Sequence, residues 1–168
     1  MRLAISTLTT FFLMIHGHSQ ESNPLNVFEP LIGKLWVAEG FWSDGSPFWQ
    51  EIEMEYDLDS TLVIVHTKGF TDRNNKTFGP RNHGIRQYDA LNGEIMFWEF
   101  DVFGGLTKGK VSTEGEDIIY HYQYGDKSIT ERWTRLGEFS YDYTVRDGPI
   151  EEEESYLLKA RFKFKKRY

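Results

Sequence analysis

The sequence predicts an all-β chain: a single antiparallel, up-and-down β-barrel of about ten strands behind a short N-terminal lead-in. Three observations carry that prediction. Aromatic residues make up 16% of the 168, and rings suit the half-buried, pleated surface of a sheet. No long stretch shows the 3.6-residue period of an amphipathic helix. Turn signals recur about every ten residues: Asp44-Gly45, Asp59-Ser60, Asn92-Gly93, Gly104-Gly105, Glu114-Gly115, Gly125-Asp126, Leu136-Gly137-Glu138 and Asp147-Gly148. Short strands punctuated in this way form sandwiches or barrels, and consecutive hairpins favour a meander that closes.

The first element stands apart from the rest. MRLAISTLTTFFLMIHGHSQ starts with Arg2, runs apolar from Leu3 to Ile15, and ends in small and polar residues. That is the shape of a secretory signal peptide over 1–20, with cleavage near Ser19 or Gln20. Its apolar part is too short to span a membrane. The expected location is secreted or periplasmic, with one domain over 21–168. Loss of Arg2 would move the formal charge from −7 to −8. Such acidity argues against nucleic acid as a main partner, because phosphate binding needs a basic surface. The chain has no cysteine, which excludes disulfides, thiolate metal sites and thiol catalysis.

Next, SNPLNVFEPLIG carries two prolines and leaves room for a short helix at most. Strands are then predicted near 35–42, 48–57, 61–70, 83–90, 94–102, 106–113, 117–124, 127–135, 139–146 and 155–164. Two connections are longer, 71–82 and 146–154. The first holds the sequon Asn75-Lys76-Thr77, which is used only in a eukaryotic secretory pathway. The second holds Glu151–Glu154, a solvated run without the spaced ligands and glycine of a calcium loop.

Hairpin turns fix register, and register fixes which residues face inward. A two-residue Asn92-Gly93 turn sets Tyr88 opposite Phe97 and Arg86 opposite Glu99. A two-residue Gly104-Gly105 turn sets Asp101 opposite Lys108 and Glu99 opposite Lys110. That ladder of opposite charges reads as an outer surface. Ile85, Gln87, Met96, Trp98, Phe100, Val102 and Val111 then face inward. Further along, Val111 falls opposite Ile118, while Tyr120 and Tyr122 point in beside Gly109 and Thr107. Tyr120 meets Glu131, Ile118 meets Trp133, Trp133 meets Tyr141, and Glu131 meets Tyr143. In the last strand Tyr156, Leu158, Ala160, Phe162 and Phe164 share the inner face. Glu39 and Gln50 meet inside if Asp44-Gly45 is a tight turn.

Glu131 is thus an inward carboxylate between tyrosines. Burial makes an unpaired carboxylate costly, so it must be hydrogen-bonded, protonated or beside a cation or water. It is the candidate ligand anchor or general acid/base; a structural Tyr–Glu–Tyr network is the alternative. His83 and Gln87 are placed at the mouth. Beyond residue 20 no HxH, HExxH, GxSxG, P-loop or dinucleotide fingerprint occurs, so no metal site is expected.

Pro30-Leu31-Ile32-Gly33, Trp36 and Glu39-Gly40 open the first strand in a way that resembles calycin (lipocalin-like) barrels. His83-Gly84-Ile85-Arg86, with Phe103-Gly104-Gly105-Leu106-Thr107 and Gly109, is similar to the central part of nitrobindin-like barrels. The resemblance implies a roughly ten-stranded barrel with an internal cavity for an apolar ligand. Two departures matter. The usual Gly-x-Trp spacing is one residue longer here, Gly33-Lys34-Leu35-Trp36. The late-strand haem histidine has no counterpart near Leu157-Leu158-Lys159-Ala160, and no histidine follows His121; no cofactor is expected, and haem by that route least of all.

The function these readings favour is binding of a small apolar or aromatic molecule. The expected lining is Trp98, Phe100, Tyr120, Tyr122, Trp133, Tyr141 and Tyr143, with Glu131 as polar anchor and His83 and Gln87 at the entrance. An isomerase, cyclase or lyase using Glu131, or a filled structural barrel that meets a partner, are the alternatives. Monomer and homodimer both stay open.

Overall fold

The computed structural model describes residues 22–72, 76–148 and 156–166. The signal segment 1–20, Asn75 of the sequon and Glu151–Glu154 lie outside the described residues. Ten strands follow one short helical turn: β1 (Leu35–Trp42), β2 (Pro47–Asp57), β3 (Leu62–Phe70), β4 (Phe78–Asp89), β5 (Glu94–Asp101), β6 (Leu106–Glu114), β7 (Asp117–Tyr124), β8 (Lys127–Gly137), β9 (Ser140–Asp147) and β10 (Tyr156–Lys165). Each pairs antiparallel with its chain neighbour, and β1 pairs with β10, so the sheet closes into a barrel. The all-β, up-and-down architecture expected from the turn rhythm is the one present. It fits a calycin-like barrel.

A 3₁₀ helix, Pro24–Leu31, closes one end. Asn23 starts it: the side-chain oxygen accepts from the Leu25 amide at 2.9 Å, and Nδ2 donates to the Ser60 carbonyl at 2.8 Å. Leu25, Phe28 and Leu31 are buried as a stopper. Gly33, at φ +69° in the left-handed region that glycine tolerates, turns the chain into β1. Trp36 is fully buried on the barrel floor, where its indole N–H donates to the Leu31 carbonyl at 3.2 Å. The extra residue between Gly33 and Trp36 therefore still leaves the ring at the base. Above it Trp36 meets Tyr141 edge-on at 5.2 Å, and Trp133 stacks on Phe162 at 4.2 Å. Paired rings of this kind add to the burial of their area.

One loop overturns part of the expected register. Phe100 pairs with Leu106, so five residues, not two, lie between the last paired residues of β5 and β6. Asp101 organises them. Its Oδ1 accepts from the amides of Phe103 and Gly105, both at 2.8 Å. Its backbone N–H donates to Gly105 O at 3.0 Å, and its carbonyl accepts from the Gly104 amide at 3.1 Å. The side chain expected to face Lys108 is a turn anchor instead. The odd slip inverts the face of β5. The β4–β5 turn, Asp89 paired with Glu94, differs by an even number and so carries the inversion into β4. Arg86, Ile95, Phe97 and Glu99 point inward. Ile85, Gln87, Met96, Trp98 and Phe100 point outward, and Val102 is exposed in the loop. His83 also lies outside, opposite His66, with ring centroids 5.0 Å apart.

Downstream, every departure is even and the faces hold. Val111 pairs with Tyr120, one pair beyond the expected partner. Tyr120 pairs with Glu131 and Ile118 with Trp133 as expected. Trp133 pairs with Tyr143 because of an irregularity between Arg135 and Gly137. At the first hairpin Glu39 pairs with Trp49 and Ala38 with Gln50. Gln50 faces in, but Glu39 is exposed on the outer wall, so the two do not meet.

Candidate functional site

The interior above the aromatic floor is not filled. A cavity of about 140 Å³ is bounded by Gln50, Ile52, Met54, Val65, Thr67, Asn82, Arg86, Phe97, Glu99, Thr107, Tyr120, Tyr122, Glu131, Trp133 and Tyr143. An apolar cavity of about 150 Å³ accommodates benzene, so this one suits a molecule of roughly ring size. It is smaller than the roughly 300–1,000 Å³ pockets that hold larger ligands.

Two carboxylates and one guanidinium dominate its chemistry. Arg86 Nη2 donates to Glu99 Oε1 at 2.5 Å, with side chains only 5% and 17% exposed. Arg86 Nε donates to Tyr120 Oη at 3.3 Å. The guanidinium carbon lies 5.1 Å from the centroid of the Tyr120 ring and 5.4 Å from that of Phe97, a cation–π arrangement that is strongest away from water. Burial opposes the charge, but Tyr120 and Glu99 outweigh it and raise the Arg86 pKa, so the group stays a cation. Asn82 Nδ2 donates to Glu99 Oε2 at 3.2 Å. Gly84 makes this pair possible: a Cβ there would fall against Arg86 Nη1 and 2.8 Å from Glu99 Oε1.

Glu131 sits on the opposite wall. Tyr122 Oη donates to its Oε1 at 2.5 Å, and Tyr143 also hydrogen-bonds it. Burial pushes its pKa up; the two tyrosine donors pull it down, the nearby Glu99 charge raises it, and Arg86 lowers it, with a net rise. Burial together with the Glu131 charge also raises Tyr122 and Tyr143, so both remain protonated donors. One atom is orphaned: Asn82 Oδ1 is buried without a hydrogen-bond partner. A buried acceptor left unpaired costs about 1–3 kcal/mol, which a ligand donor would recover.

Of the residues singled out from sequence, Tyr120, Tyr122, Glu131, Trp133 and Tyr143 come together on the cavity wall. Tyr141 is buried below it, against Trp36 and Trp133. Trp98, Phe100, His83 and Gln87 are on the outer wall and do not reach the cavity, for the register reason given above. Arg86 and Glu99, expected on the outer surface, and Asn82, to which the sequence assigns no role, also line the cavity. The signal for them was Gly84, an alternate-position glycine that vacates space for the Arg86 side chain. Among the described residues, no group of three or more histidine, aspartate or glutamate side chains is arranged to hold a metal ion, and no helix is long and apolar enough to cross a membrane.

No family model matches the sequence, and no curated protein matches it. Among solved structures, the S-type phycobiliprotein lyase CPES from Guillardia theta is similar, with a TM-score of 0.50 and 10% identity over 88% of this chain and 96% of that one. At that identity the likeness is one of fold: a lipocalin-like barrel.

Proposed function

We propose that this chain is a small-molecule-binding barrel that holds one compact ligand inside, anchored through Glu131 and its tyrosines. The carrying observation is a buried carboxylate facing open volume while the one cavity guanidinium is taken up by another acid. Rings on several sides, Phe97, Tyr120, Tyr122 and Trp133, give the ligand's body an apolar surround, and a few convergent polar groups fix its orientation. The volume favours a ring-sized molecule over a long lipid.

The test is a thermal-unfolding screen with single-ring fragments, repeated on Val65→Phe, which fills the cavity from β3. A fragment at 100 times its Kd adds about 2.7 kcal/mol, a rise of roughly 5–10 °C for a chain of this size. The shift should vanish in Val65→Phe while its circular dichroism stays that of the parent. A cavity that stays silent to every fragment rejects the reading.

A second reading is favoured by the raised pKa of Glu131 beside two neutral phenols: proton-transfer chemistry of an isomerase, cyclase or lyase type, with Glu131 as acid/base. It requires turnover of a bound ligand that Glu131→Gln abolishes without loss of binding. Export is proposed from the signal-like segment, and the mass of the processed N-terminus in a secretory host decides it.

A further inference from the structure

We propose that the cavity selects a small organic cation: an ammonium group carried on a compact apolar or aromatic body. This rests on the cavity-binding reading and gives it a sign of charge. Arg86 is the one cation among the described lining residues, and Glu99, Tyr120 and the Ile85 carbonyl accept from its Nη2, Nε and Nη1. Glu99 in turn accepts from Arg86 and from Asn82. Glu131 is therefore a second carboxylate without a cation of its own. Its hydrogen-bond partners are the Tyr122 and Tyr143 hydroxyls. A carboxylate offers about four acceptor sites, so about two remain after the tyrosines, on a residue that lines the cavity.

Asn82 Oδ1 points the same way. It is buried and receives no hydrogen bond, and the amide is oriented by the donation of its Nδ2 to Glu99. The one buried lining atom shown without a partner is thus an acceptor. An ammonium group supplies three donors and the missing positive charge. An anion would face two carboxylates and leave the acceptors unmet. A neutral alcohol could satisfy one acceptor but not the charge. The aromatic residues Tyr122, Trp133 and Tyr143 around the same space favour a cation over either.

The test uses three probes of one shape: benzylamine, benzyl alcohol and benzoate, titrated calorimetrically into the full chain at pH 7.5. A smaller series, isobutylamine, isobutanol and isobutyrate, guards against a size mismatch. The amine should bind about tenfold or more tighter than the alcohol, the gain typical of a charge-assisted hydrogen bond, and the carboxylate should not bind. Glu131→Gln should reduce the amine preference to about threefold or less, with near-ultraviolet circular dichroism verifying the fold. Should that variant not fold, Asn82→Ala replaces it and should weaken amine binding severalfold. An alcohol that binds as well as its amine, or an amine preference that survives in the variant, overturns the charge selection and leaves the binding reading standing. Failure of all six probes overturns both.

Discussion

Replacing Arg86 with methionine removes the one cavity cation while keeping most of the side chain's length. The loss can be worked out from the geometry. The ion pair with Glu99 spans 2.5 Å between side chains that are 5% and 17% exposed, so solvent screens it little. A hydrogen bond to a charged group in such a setting contributes about 1.5–3 kcal/mol. The contacts with the Phe97 and Tyr120 rings add roughly 1–2 kcal/mol. Methionine returns some apolar contact, but Glu99 is left as a buried, uncompensated charge. The expected cost is about 3–5 kcal/mol, the usual penalty for removing one partner of a buried pair. The companion variant, Arg86→Met with Glu99→Leu, should regain most of it and fall within about 1–2 kcal/mol of the parent. The remainder is the Asn82 amide, which loses its acceptor. Urea unfolding followed by tryptophan fluorescence measures all four corners of the cycle. A single-variant cost below about 1 kcal/mol, or additive single costs, would refute the description of Arg86–Glu99 as a coupled buried pair.

Gly84→Ala should destabilise the protein by about 1–3 kcal/mol, the range of overpacking in a filled interior, because its Cβ would displace the Arg86–Glu99 pair; a denaturation midpoint equal to the parent's would show that the pair has slack. Glu131 makes a prediction about pH. Its folded pKa is raised by burial above the ordinary 4.5, so the folded state holds the proton longer than the unfolded chain, and stability falls as pH rises from the ordinary value through the folded one. Glu131→Gln should flatten that slope and be the more stable form at the alkaline end, as read from urea midpoints across the range.

The strand count, the order of hairpins and the face of β6 to β10 were legible because each segment alternates and each later turn differs from expectation by an even number. Tyr120 opposite Glu131 could be reached from the Gly125-Asp126 turn alone. The face of β5 could not. Ile95-Met96-Phe97-Trp98 is apolar at every position, so alternation gives no vote, and everything hangs on the loop that follows. There Asp101 gathers two amides that a Gly-Gly pair does not announce. The contact between Arg86 and Glu99 was foreseen, but on the wrong side of the wall. Opposite charges across a sheet usually mark the wet face, and only the missing Cβ at Gly84 argues for room inside. The polar half of the cavity was hidden for that reason, while its aromatic half was not.

The β1–β10 pairing sets how the chain must reach its final state. Nine of the ten strand pairings join neighbours in sequence, but this one brings Trp42 against Leu158, roughly 115 residues away. Closing a loop of that length costs about 3 kcal/mol more chain entropy than closing a hairpin. The seam should therefore zip last, after the meander has curled, and its rate should govern folding. Until it does, the strands on either side of the gap present unpaired edges, open to a second copy. The same seam that leaves the finished barrel without an edge makes the nascent one sensitive to concentration.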